Sequence, residues 1–227
     1  MTECRDVREC TGLAMDLDGV IIDSETLHAR AKRETLNHFG IAYPESIFAD
    51  FRGRPDTAFF SYVADELCQG RYTAHELNEF KWSHYSTIAD QVELIPGVDR
   101  FIQTCRERYD KIVLVTSARR RDVEIADRRL HFQSWFDEIV HGDHTENHKP
   151  HPEPYLLAAQ KTGIPAADLM VVEDAPNGIR AAVAAGCRVV GITTSFAEEV
   201  LLEAGAHCVG NNYTEVSRML RKLRPAE

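Results

Sequence analysis

Short apolar runs alternate along the chain with longer segments of helical periodicity. LAMDL from Leu13 and KIVLVTS from Lys111 read as buried strands, and FDEIV, LMVVED, CRVVGI and AHCVG as further candidates. Between them, apolar positions recur at helical spacing from Arg121 to Leu130, Pro154 to Thr162, Asn177 to Ala185 and Ser195 to Glu203. This alternation predicts an α/β fold, a doubly wound parallel sheet with helices on both faces and right-handed crossovers. The first crossover breaks the rhythm. No strand reads between Asp23 and Glu93, where ETLHARAKRETLNHF, DTAFFSYVADEL and AHELNEFKWSHYSTIAD all read as helices. A simple crossover needs little more than one helix, so the stretch reads as an inserted helical domain. The expected division is residues 1–23 and 94–227 for the α/β core, and 24–93 for a helical cap placed over the end of the first strand. IPGVDRF, with its Pro96–Gly97 turn, returns the chain to the core and opens a new helix.

The first strand runs into AMDLDGVIIDSE, where Asp16 and Asp18 interrupt an apolar run. A buried carboxylate costs several kcal/mol unless something compensates it. Residues i and i+2 of a strand project to one side, and Gly19 frees the chain to turn. Ligands of open parallel sheets bind at the carboxyl ends of strands, which is where these acids fall. The next strand ends in VTSARRR, with Thr116 and Ser117 at its end and a helix starting near Arg119. That helix N-terminus favours an anion, and a bound phosphate would suit the arginines beside it. HKPHPEPY holds Lys149 in a stiff, proline-rich segment, where its ammonium can meet a phosphate. VVEDAPNGIRAA sends a fourth strand into Glu173 and Asp174. Four carboxylates at one sheet edge are compensated most simply by a hard divalent cation with oxygen ligands, and Mg²⁺ fits.

These four segments, in this order, resemble the motifs of the haloacid dehalogenase superfamily, in its capped phosphatase branch near the β-phosphoglucomutase-like sugar phosphatases. The resemblance spans nearly the whole chain and implies a Rossmann-like core with a helical cap. It implies Asp16 as nucleophile, Asp18 as general acid and base, Thr116 as a hydrogen-bond donor to the phosphoryl group, and Lys149 as its counter-charge. Mg²⁺ would be held by the Asp16 side chain, the Asp18 carbonyl and Asp174, with Glu173 close by. Ser117, Ala118 and Arg119 are expected to meet substrate from the core. Glu25, His28, Arg52, Gly53 and Arg54 are expected to do so from the cap, which should set substrate choice. The implied activity is hydrolysis of a small phosphorylated metabolite, a sugar phosphate, through an aspartyl-phosphate.

Rival readings differ in particular residues. A phosphomutase must hold a second phosphate; the mutase has a basic residue three places beyond the glycine matching Gly53, and Asp56 stands there. Dehalogenase chemistry has no use for Asp18 and Asp174, and a phosphonate hydrolase needs a cap lysine that neither Lys32 nor Lys81 matches. A receiver-like signalling module would be about half as long and carry its phosphoacceptor on a middle strand. His141, His144, His148 and His151 invite a zinc reading, but a polar loop at the rim of the cleft fits the segment better.

Composition adds exclusions. The 227 residues carry a formal net charge of −10, so no general attraction to nucleic acid or an anionic membrane is expected. Six scattered cysteines with no C-x-x-C pair read as reduced thiols of a cytoplasmic protein. The start of the chain lacks the apolar region of a signal peptide. A monomer is expected, with a dimer as the alternative.

Overall fold

The computed structural model describes residues 10–51 and 56–222. The described residues divide into two units, 10–23 with 93–222, and 24–51 with 56–92. β1 (Gly12–Met15) opens the first unit. The second unit follows as α1 (Ser24–His38), α2 (Ile47–Asp50), α3 (Asp56–Tyr62) and α4 (Ala74–Ile88). The chain returns to the first unit through α5 (Val98–Arg106), β2 (Lys111–Val115), α6 (Arg120–Leu130), β3 (Glu138–Val140) and α7 (Glu153–Thr162). Then come β4 (Leu169–Glu173), α8 (Pro176–Ala184), β5 (Arg188–Ile192), α9 (Glu198–Glu203), β6 (Cys208–Gly210) and α10 (Tyr213–Lys222).

All strand pairs are parallel, in the order β3-β2-β1-β4-β5-β6. Ala14, Val113, Val115, Val171 and Val189 pack on one face against Tyr155 and Ala158 of α7, Ile179 and Ala182 of α8, and Leu201 of α9. By the period of two, Ile112, Leu114, Met170, Val172 and Val190 point to the other face, where α5 meets β2 and α10 meets β5. Burial on both faces is why these strands read as unbroken apolar runs. The order reverses at β1, whose neighbours are β2 and β4. Such a switch point opens a crevice at the carboxyl ends of the strands.

The second unit has a core of its own, with Leu36, Ile41, Ile47, Phe59, Phe60, Val63 and Leu77 buried together. Thr73 starts α4 with a capping box: its hydroxyl accepts from the Glu76 N–H while Glu76 accepts from the Thr73 N–H. α1 and α3 both pack on α4. Lys81 of α4, fully buried, donates to Asp56 at 2.5 Å and lies 2.8 Å from His28 Nδ1, and Lys32 pairs with Asp56 at 3.0 Å.

Two expectations are corrected, and one element is new. Ser195 does not begin a helix; α9 starts at Glu198, because Thr194 and Ser195 are drawn into the turn after β1 (below). α10 went unforeseen, although Tyr213, Val216 and Leu220 mark a buried helical face. Four cysteines, Cys10, Cys68, Cys105 and Cys187, are buried free thiols, but Cys208 is in a disulfide. Burial pushes Cys10 to about 11 and Cys105 and Cys187 to about 12, which keeps those thiols protonated and unreactive. No helix among the described residues is long and apolar enough to cross a membrane.

The packing makes a direct prediction. Leu114 is 0% exposed and Leu156, on α7, is 48% exposed. Leu114→Ala should cost about 2–5 kcal/mol in urea denaturation, whereas Leu156→Ala should stay within about 0.5 kcal/mol of the parent.

Candidate active site

Asp16 follows β1 directly, and its N–H still bonds the Val172 carbonyl of β4 at 3.2 Å. The chain then folds into a tight turn in which the N–H groups of Ile21 and Ile22 converge on the Leu17 carbonyl. Gly19 makes this turn at φ +70, and a Cβ there would lie 1.9 Å from Asp174 Oδ2. The turn is pinned from later elements: the Thr194 hydroxyl donates to the Gly19 carbonyl at 2.5 Å, and the Tyr213 hydroxyl donates to that of Val20 at 2.6 Å. β4 delivers Glu173 and Asp174, both buried, and Ser195 hydrogen-bonds Asp174.

Lys149 links the strand ends. Its ammonium donates to Asp16 Oδ1 at 2.6 Å, Glu173 Oε1 at 2.7 Å and the Val115 carbonyl at 3.0 Å. Glu173 is held on both oxygens. Oε1 accepts from Lys149 and from the Tyr155 hydroxyl at 2.9 Å, and Oε2 accepts the N–H groups of Asp174 and Ala175. Gly178 makes room for it, since a Cβ there would come within 1.7 Å of Glu173 Oε1.

Burial, with Glu173 and Asp18 nearby, outweighs Lys149 and lifts Asp16 from 3.8 to about 7. Burial and then the neighbouring Glu173 and Asp16 push Asp174 well above the usual carboxylate range. Lys149 is held charged by Asp16 and Glu173. Carboxylate oxygens of Asp16, Glu173 and Asp174 lie within 4.8 Å of one another. With all three ionised, their charge would exceed that of the one ammonium by two, the charge of one divalent cation. The donor set, all oxygen, suits Mg²⁺. Asp16 and Asp174 would hold it, with Glu173 beside them.

Asp16, Asp18, Ser117, Lys149, Glu173, Ala175, Asn177 and Gly178 line a cavity of about 190 Å³. Thr116, buried at the end of β2, accepts the Ala118 N–H at 3.0 Å and so shapes the loop that carries Ser117 and Ala118. A groove of about 510 Å³ between α5 and α10 is larger, but it lacks the carboxylate cluster and lies on other residues, among them Arg100 and Tyr213.

The sequence model of the haloacid dehalogenase-like hydrolases matches residues 13–192. The chain belongs to this family. It is 35% identical over 182 residues to the fructose-1-phosphate phosphatase YqaB of Escherichia coli, covering 80% of this chain and 95% of that protein. It is 30% identical to a phosphorylated carbohydrates phosphatase of Thermotoga maritima, covering 84% of this chain and 89% of that protein. A crystal structure of a putative β-phosphoglucomutase from Thermotoga maritima superposes with a TM-score of 0.80 at 26% identity, covering 94% of this chain and 99% of the other. The protein is therefore an enzyme, a hydrolase of the haloacid dehalogenase-like family.

Within this family member, the residues named from sequence are spread over both units. Asp16, Asp18, Thr116, Ser117, Ala118, Lys149, Glu173 and Asp174 gather at the strand ends of the first. Arg119 is exposed and precedes α6, but the anion at that helix start is already supplied: the Arg120 N–H donates to Asp143 Oδ2 at 2.8 Å. Glu25 and His28 lie on α1 of the second unit. His28 stacks on Tyr85 at 4.2 Å, and burial and then Lys81 hold it at about 3, neutral. Arg52, Gly53 and Arg54 lie outside the described residues. The metal-suited cluster includes none of the four histidines; His141 and His144 instead stack at 3.6 Å. Tyr155, Ser195, Thr194 and Tyr213 were missed. Each brings a hydroxyl from a segment that reads as packing or loop, and sequence spacing carries no signal for that.

Below about pH 7 a proton competes for Asp16, so cation affinity should fall with pH. In cation-free protein, the raised Asp16 favours folding below 3.8 and withdraws that support as pH rises through about 7. The rise in Tm produced by Mg²⁺ should therefore be larger at about pH 8 than at about pH 5. At 100 times the Kd it should correspond to about 2.7 kcal/mol, and Asp174→Asn should lose it at both pH values in thermal melts.

Proposed function

We propose that the chain is a phosphatase of small phosphorylated carbohydrates that works through an aspartyl-phosphate on Asp16. The observation that carries this reading is the meeting of Asp16, Asp18 and Lys149 in one cavity, with Asp174 and Thr116 at the neighbouring strand ends. A cavity of about 190 Å³ suits a phosphoryl group better than a whole metabolite, so the sugar would extend beyond it. Two relatives named as carbohydrate phosphatases, at 35% and 30% identity, support that substrate class.

Asp16 attacks phosphorus in line with the leaving oxygen. The P–O bond to the sugar breaks as the bond to Asp16 forms, and Asp18, at the edge of burial, gives its proton to the departing oxygen. Asp18 then takes a proton from the water that attacks the aspartyl-phosphate, which frees phosphate and restores Asp16. Lys149 fixes one Asp16 oxygen and offers positive charge to the phosphoryl oxygens, as the Thr116 hydroxyl offers a proton. When bound, Mg²⁺ lowers the repulsion between the carboxylates and the phosphate and keeps Asp16 ionised at neutral pH.

A phosphomutase must grip a second phosphate. Both lysines of the helical unit, Lys32 and Lys81, are already paired with Asp56, which favours the phosphatase. The four buried free thiols favour a reducing compartment, the cytoplasm, against the single contrary sign of the Cys208 disulfide.

Phosphate release across a panel of sugar phosphates, with and without Mg²⁺, tests the reading. Release should require the cation and prefer monophosphates. Asp16→Asn should abolish it, and retained activity in that variant would exclude Asp16 as nucleophile. Conversion of β-glucose 1-phosphate to glucose 6-phosphate in the presence of a bisphosphate primer would favour the mutase.

A further inference from the structure

Tyr155 lies in the first turn of α7 and is fully buried among Val113, Val115, Val140 and Val171. Packing alone would accept any large apolar ring there. A buried hydroxyl is costly unless it is bonded, and this one donates to Glu173 Oε1 at 2.9 Å. The same oxygen accepts from Lys149 at 2.7 Å, and the Lys149 ammonium stands 5.1 Å from the Tyr155 ring centroid. One carboxylate oxygen thus ties down both ends of the segment from Lys149 to Tyr155.

We propose that Tyr155 is a positioning residue for the reaction: its hydroxyl fixes Glu173, and Glu173 holds Lys149 on Asp16. The inference rests on the phosphatase reading for its kinetic consequence, but its geometric content does not. Two backbone amides anchor Oε2 of Glu173 from its own loop. Tyr155 supplies the second fixed point, on Oε1, that stops the carboxylate from swinging. Without it the carboxylate would pivot about its Oε2 amides, and Lys149, left with the Val115 carbonyl as its other fixed partner, would lose part of its aim at the Asp16 oxygen. Tyr155 touches no substrate in this account and acts through Glu173 alone.

Tyr155→Phe removes the hydroxyl and keeps the ring. Its kcat should fall about tenfold or more while KM stays within about twofold, since only the aim of a charge is lost. In a Glu173→Gln background the same substitution should cost less than about twofold, because the link it serves is already gone. A crystal structure of Tyr155→Phe should show the Glu173 carboxylate turned and the Lys149 to Asp16 contact lengthened. Unchanged kcat with a lowered Tm, an undiminished loss in the Glu173→Gln background, or an unmoved Glu173 would each overturn the proposal. If the wild-type protein releases no phosphate from any ester, the phosphatase reading fails by itself, and the crystal structure still decides the positioning claim.

Discussion

Three carboxylates held out of water around a single ammonium set the terms for the rest of this molecule. Asp16, Glu173 and Asp174 are each less than one-tenth exposed, and Lys149 bonds two of them. Left to themselves these groups would repel one another and take up protons, as the raised Asp16 and Asp174 show. A fold keeps such an arrangement only when its remaining interactions over-determine it. Here they do. Gly19 and Gly178 leave no side chain where Asp174 and Glu173 need the space, and hydroxyls of Tyr155, Thr194, Ser195 and Tyr213 hold either the acids or the turn that carries them.

The sheet makes the convergence possible. β1 sits between β2 and β4, so residues that follow these three strands become neighbours at one edge although they are far apart in the chain. The loop after β3 adds Lys149 from the side. Strand order thus turns four separate segments into one electrostatic unit. The negative excess suits the site to a cation, and under the proposed phosphatase reading that cation would make an anionic ester tolerable.

Much of this was legible in the sequence because its signals are local. The apolar run broken by Asp16 and Asp18, the Thr116–Ser117 strand end, the stiff segment around Lys149 and the Glu173–Asp174 pair each announce a strand end with chemistry on it. The helical insertion showed itself as a crossover too long for one helix. What stayed hidden depends on distance in the chain. Nothing near Tyr155 tells that its hydroxyl meets Glu173, since the residue reads as core. Helical spacing beyond Ser195 predicts a helix start there, yet this loop serves the turn after β1. The contact of Asp143, from another loop, with the Arg120 N–H at the start of α6 carries no signal in the sequence either. The engagement of His28 and Asp56 with Lys81 was hidden for the same reason: α1, α3 and α4 meet only in the folded unit.

In the proposed reading a divalent cation neutralises the Asp16–Asp174 pair beside a phosphoryl site. A crystal structure of the protein grown with Mg²⁺ and a fluoroberyllate mimic of the phosphoryl group measures this directly. The account predicts an ion about 2.0–2.1 Å from oxygens of Asp16 and Asp174, with the mimic on Asp16 and Lys149 against it. A mimic bound on Asp16 with no ion between the two aspartates, or an ion held elsewhere in the first unit, would contradict it.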